Sequence, residues 1–160
     1  MGASGGAGRV RAGAVLGVWG ALSLLVVLLA HEWLSFGPSG HDLIAAASAP
    51  CPEVPCVTLG TIITAQIAKA LGAAMLFWGI GAIWVSGQMR WAIAAPVWLA
   101  EYLWSLVGIA SSHRGAFRDD WRWWEPFVVL MWSPVTTPAL AILGMGIWYG
   151  LARTRRPIMR

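Results

Sequence analysis

Charge is scarce in this chain. Only 11% of its 160 residues are Asp, Glu, Lys or Arg, whereas soluble domains carry about 25%, so an ordinary water-soluble fold is excluded. Lysine is almost missing, with Lys69 the sole example. There are two cysteines, Cys51 and Cys56, and no second pair of the kind that quinone-coupled disulfide enzymes use. The chain also has no glycine-rich phosphate loop, no His-Glu-x-x-His and no serine in a strand–turn–helix setting. Those absences remove the readings that depend on such motifs. No cluster of carboxylates inside an apolar run points to a pump. The two halves do not repeat one another, so inverted-repeat transport logic has no support.

What the chain does have is four long apolar stretches, at 12–35, 62–86, 91–111 and 127–151. A bilayer core about 30 Å thick is crossed by a helix of about 20 apolar residues, and each stretch is long enough. The expected fold class is therefore all-α: a polytopic membrane protein built as an up-down bundle of four transmembrane helices. Outer loops fall at 37–60 and 112–126, a flexible tail at 1–11 and a basic tail at 153–160. Most of the length is used by the spans, which leaves no separate soluble domain.

The net charge of +4 would suggest nucleic acid in a soluble protein. Here the positions of the charges matter more, and no nucleic-acid partner is expected. Arg9, Arg11, Arg90, Arg153, Arg155, Arg156 and Arg160 share one side of an up-down chain. Cytoplasmic segments collect basic residues, so both termini are expected in the cytoplasm. Arg114, Arg118 and Arg122 lie on the other side and weaken the bias without reversing it. The first apolar run is longer than the core of a signal peptide, so an uncleaved helix is expected. High pI and alanine–glycine richness fit a bacterial plasma (inner) membrane.

Several local signals refine this picture. Gly37-Pro38-Ser39-Gly40 ends helix one, and 42–49 has the makings of a short interfacial helix. Helix two starts between Leu59 and Gln66. Pro134 and Pro138 predict a kink or an unwound turn in helix four. In the second outer loop Phe117, Trp121 and Trp124 recur at i, i+4 and i+7, beside Arg114, Arg118 and Arg122. That pattern predicts a short helix in the headgroup layer, contacting lipid or a partner. The alternative is an irregular loop whose tryptophans anchor helix four.

The chain has 12 tryptophans. Most fall at expected interface depths. Trp78, Trp98, Trp104 and Trp132 lie deeper, where their N–H groups need acceptors, chiefly in helix–helix contacts. Small residues let membrane helices approach closely. Gly13-x-x-x-Gly17 in helix one and Gly146-x-x-x-Gly150 in helix four predict that these two helices cross in the cytoplasmic half.

Few residues are equipped for chemistry. Glu101 sits halfway along helix three, where a carboxylate costs at least about 2.5–3.5 kcal/mol. Lys69 reaches comparable depth if helix two starts near Leu59, and the two would form an intramembrane polar pair. The pair serves either structure or a proton or cation relay. Cys51 and Cys56 are expected to form a structural disulfide in an oxidising compartment. His31, His41 and His113 all fall toward the outer end and are the candidate ligands for zinc, copper or haem. No spacing between them supports a site, and no cofactor is expected.

The expectation for function is a non-catalytic accessory subunit that packs against larger membrane proteins, or against itself, and binds lipid. One alternative is a small transporter or ion-conducting oligomer using Lys69 and Glu101. Another is a membrane oxidoreductase with a metal or haem at its outer face.

Overall fold

A computed structural model of the chain describes residues 3–44, 59–83, 87–117 and 120–154. The described residues are all-helical: α1 (Ala3–Phe36), α2 (Leu59–Ile83), α3 (Gly87–His113) and α4 (Thr136–Thr154). A single 3-10 turn (Arg114–Ala116) follows α3, and a π-helical turn (Phe127–Met131) precedes α4. Three segments are long and apolar enough to cross a membrane: Gly8–Phe36, Ile62–Ile83 and Gln88–His113. α4 has 19 residues, about 28 Å at 1.5 Å per residue.

Successive helices run in opposite directions. The start of α1 meets the ends of α2 and α4, and the end of α1 meets the start of α2 and the end of α3. One end of the bundle therefore holds Arg11, Arg90 and Arg153, here called the terminal end. The other holds the Gly37–Asp42 turn and the 3-10 turn, here called the loop end.

α1 is the central helix. Its buried positions 13, 16, 17, 20, 23, 24, 27, 28, 31 and 32 recur every three or four residues, which is one wide helical face. α2 covers much of that face, and α4 takes another part. α4 presents Thr137, Ala141, Gly144, Trp148 and Ala152 inward, again at helical spacing.

α1 begins at Ala3, nine residues before the apolar run and inside the stretch expected to be flexible. Extending an existing helix adds one hydrogen bond per residue ordered, so the helix continues past its apolar core. It ends at Phe36, where Gly37 N–H bonds Trp33 O and Asp42 adopts a left-handed φ of 54°. Leu43 and Ile44 are helical; the rest of the expected interfacial helix lies outside the described residues.

Helix four does not bend; it stops and restarts. Trp132 N–H bonds Phe127 O, closing the π-turn, and Trp132 is extended with ψ 121°. Ser133 then caps α4. Its Oγ accepts the Thr136 N–H at 3.1 Å, and its own N–H donates to Thr137 Oγ1 at 3.1 Å. Pro134 follows the cap, where a missing N–H costs nothing.

The second outer loop departs from the amphipathic-helix expectation. After the 3-10 turn, Trp121 and Arg122 are non-helical, and Trp123 and Trp124 form a turn. Glu125 accepts the Arg122 N–H at 2.9 Å and so fixes that turn. Trp121 packs half-buried against the core, whereas Trp123 is exposed. Arg118 lies outside the described residues.

Candidate functional site

The terminal half of the bundle is tightly packed. Trp98 and Trp148 are fully buried. Trp98 Nε1–H donates to Ser23 Oγ at 3.1 Å, with Gly20 O at 3.3 Å, and Trp148 Nε1–H donates to Leu16 O at 3.2 Å. Phe77 closes the cluster, 4.9 Å from Trp148 between ring centroids. Two of these rings need glycine beside them. A β-carbon on Gly20 would meet Phe77 at 2.7 Å, and one on Gly144 would meet Trp98 at 2.6 Å.

The glycines flagged by sequence divide. Gly13 and Gly17 do mark a close approach, but with α2 rather than α4: their added β-carbons would fall 2.7 Å from the carbonyls of Trp78 and Ala74. Gly146 and Gly150 face outward with nothing near. The reason is rotational. Trp148 occupies the inward face of α4, which turns residues 146 and 150 away. The deep tryptophans divide as well: Trp98 is a helix–helix contact, while Trp78, Trp104 and Trp132 are exposed on the outer surface.

Polar groups gather instead in the loop half. His31, Glu32, Gln66, His113 and Thr137 are all buried, each at most 5% exposed. They form two hydrogen-bonded sets. In the first, Gln66 Nε2 donates to Glu32 Oε2 at 2.9 Å, and His113 Nε2–H donates to Glu32 Oε1 at 3.2 Å. Three helices thus supply one buried carboxylate and its two donors. Gln66 Oε1 is buried and accepts no hydrogen bond from the protein. The Phe36 ring lies against His113, centroids 4.1 Å apart, and reaches exposed His41 on its other side at 5.8 Å.

In the second set, His31 Nδ1 is 2.6 Å from the Tyr102 hydroxyl and Nε2 is 3.0 Å from Met131 O. A carbonyl only accepts, so Nε2 carries a hydrogen, and in the neutral ring Tyr102 donates to Nδ1. Thr137 O stands 3.4 Å from the same hydroxyl as a second acceptor. Because the helix stops after Met131, its carbonyl is available, and His31 takes it. The unwound turn and the buried histidine therefore explain each other.

Lys69 and Glu101 lie on one lateral groove between α2 and α3. The groove encloses about 380 Å³, with Gly72, Ala73, Ser105 and Gly108 along its walls and Trp104 at its rim. α2 does begin at Leu59, so Lys69 is well inside its span. The two charges do not form an ion pair. Lys69 Nζ instead donates to Ser105 O at 3.5 Å.

Cys51 and Cys56 lie outside the described residues. Among the described residues, no group of three or more His, Cys, Asp or Glu is arranged to hold a metal ion. Of the three histidines, His31 has both ring nitrogens engaged by protein, His113 is committed to Glu32, and His41 is exposed. Glu32, Gln66 and Tyr102 are the site residues that sequence reasoning misses. Glu32 sits beside His31 in a run ending at Phe36, so by position it resembles an interfacial carboxylate.

No protein-family model, no curated protein and no solved structure matches this chain.

Proposed function

We propose that all four helices cross a bacterial plasma membrane with both termini cytoplasmic, and that the chain is a small accessory subunit of a larger membrane complex. The partner contributes a transmembrane helix that lies in the α2–α3 groove. One observation carries this reading. Lys69 and Glu101 face the same lateral opening at mid-span without pairing with each other. Charges at that depth otherwise turn into a bundle or find a counter-charge. A helix with a polar group at this level satisfies both, and the small residues along the groove allow its backbone close.

The surrounding surface supports the same reading. Trp104 at the rim of the groove is among the most exposed apolar residues, and Leu76 on its wall is also exposed. Gly146 and Gly150 give α4 a second smooth outward face. Lipid covers what the partner does not.

The test is a gentle-detergent pull-down of the tagged chain from its native membrane, with mass spectrometry and a visible absorption scan on the same sample. Stoichiometric larger subunits, lost in Glu101→Gln, are the expected result. A lone or self-associated protein would overturn the reading. Flux across vesicles by that species, abolished in Glu101→Gln, would replace it with transport, and a coloured sample would replace it with redox chemistry.

A further inference from the structure

The polar groups of this bundle have a direction. From the loop end inward run His41, His113, Glu32 and then Lys69, with Glu101 across the groove. Beyond them toward the terminal end, positions 12–30, 70–83, 91–100 and 138–148 contain no residue that titrates. That half is filled by Phe77, Trp98, Trp148 and Leu24, each fully buried. Their indole N–H groups are committed to carbonyl and hydroxyl oxygens of α1. A proton can be handed along the first half and has no carrier in the second.

We propose that Lys69 exchanges its proton with the loop-end solution only, through His113 and Glu32, so that the charge in the α2–α3 groove is set from one side of the membrane.

The geometry supplies the first transfer directly and places the second within one helical turn. His113 closes α3 at the loop end and meets Glu32 at 3.2 Å. An imidazolium there gives its Nε2 proton to the carboxylate, and the imidazole is reprotonated from solution. Glu32 is held by Gln66, and Lys69 follows Gln66 by one turn of α2, on a neighbouring part of the same face. The protonated carboxyl then gives its proton to the amine of Lys69. A water held at Gln66 Oε1 would carry the proton between them. Gln66 Oε1 is the acceptor that such a water needs, a fully buried oxygen with no donor from the protein. Buried waters settle on polar groups of this kind. Each transfer moves one proton and is reversible, so no other reactant is involved.

The other groups around this path are accounted for. From α1, His31 is tied to Tyr102 and Met131 O. From α3, Tyr102 belongs to that second set and Glu101 faces the groove. α4 and the turn before it present the Met131 and Thr137 carbonyls, which are neutral. Lys69 also bonds the neutral Ser105 carbonyl.

The inference rests on the chain crossing a membrane and not on any partner, so the isolated protein tests it. Because Lys69 is the only lysine, a membrane-permeant amine-reactive ester reports on it alone once mass spectrometry separates the N-terminal amine. Such esters attack only the neutral amine. The full chain is reconstituted in vesicles of known sidedness, the pH of each compartment is stepped separately, and the label is applied as a short pulse. Labelling of Lys69 should rise when the loop-end compartment is made alkaline and stay unchanged when only the terminal-end compartment is. Glu32→Gln and His113→Gln, each checked for monodisperse elution, should lose that response within the pulse. Labelling that follows the terminal-end pH, both compartments or neither would overturn the proposal. So would an unchanged response in both variants. The wild-type comparison decides sidedness even if a variant fails to fold.

Discussion

A β-carbon on Gly81 would stand 2.6 Å from the α-carbon of Gly13, so α1 and α2 touch backbone to backbone near the terminal end. Nothing but hydrogen fits on either side. In lipid this close packing, rather than escape from water, holds two helices together. It fixes α2 on α1.

Gly81→Leu and Gly17→Leu should therefore destabilise the bundle by about 1–3 kcal/mol or more, the usual cost of overpacking. Gly146→Leu should have little effect on the isolated chain, because nothing lies within 4 Å of it. Thermal unfolding in detergent, followed by loss of the monodisperse elution peak, compares all three. Equal stability of Gly17→Leu and wild type would contradict the contact.

Tyr102→Phe keeps the ring in the core but removes the hydroxyl that His31 Nδ1 meets at 2.6 Å. A buried nitrogen left without its partner costs about 1–3 kcal/mol. The expected result is a lower unfolding temperature together with faster amide exchange at the start of α4, since Thr137 O faces the same hydroxyl. Unaltered exchange there would mean that the hydroxyl does not couple α1 to the restart of α4.

Ser133→Ala removes the cap on α4, where Ser133 Oγ accepts the Thr136 N–H. The cost should be about 1 kcal/mol. Ser133→Asp and Ser133→Asn should each recover most of it, because both side chains cap by the same geometry. Denaturant titration of the three variants against wild type measures this. Alanine matching serine would mean that Pro134 alone sets the boundary.

The all-helical class and three helices long and apolar enough to cross a membrane were readable from the chain, because apolar runs, prolines and glycines act locally. Leu59 could be recognised as an early start for helix two, and that start brings Lys69 to the level of Glu101. Pro134 announced a break in helix four. Its form, a π-turn followed by a Ser133-capped restart, depends on a carbonyl finding His31 from another helix.

Rotation about the helix axis was not readable. Gly13 and Gly17 approach α2 rather than α4, since spacing along one helix does not say which helix faces it. Gly146 and Gly150 have the same spacing and touch nothing, while Gly20, Gly81 and Gly144, outside those GxxxG pairs, are where rings and backbones meet. The second outer loop carries helical periodicity in its tryptophans, yet residues 121–124 are not helical and Trp121 packs against the core.

The sequence by itself determined that this chain has little charge, long apolar helices and a lone lysine within the second apolar stretch. Those properties follow from composition and order alone. Only the tertiary structure decided that Glu32 is an interior carboxylate, joined to Gln66 and His113 rather than to solvent. It also decided that Lys69 and Glu101 share a groove without pairing. The reason is that an ion pair or a buried network requires side chains from different helices to meet within about 3–4 Å. Such meetings are set by how the helices rotate and cross, which no single helix encodes.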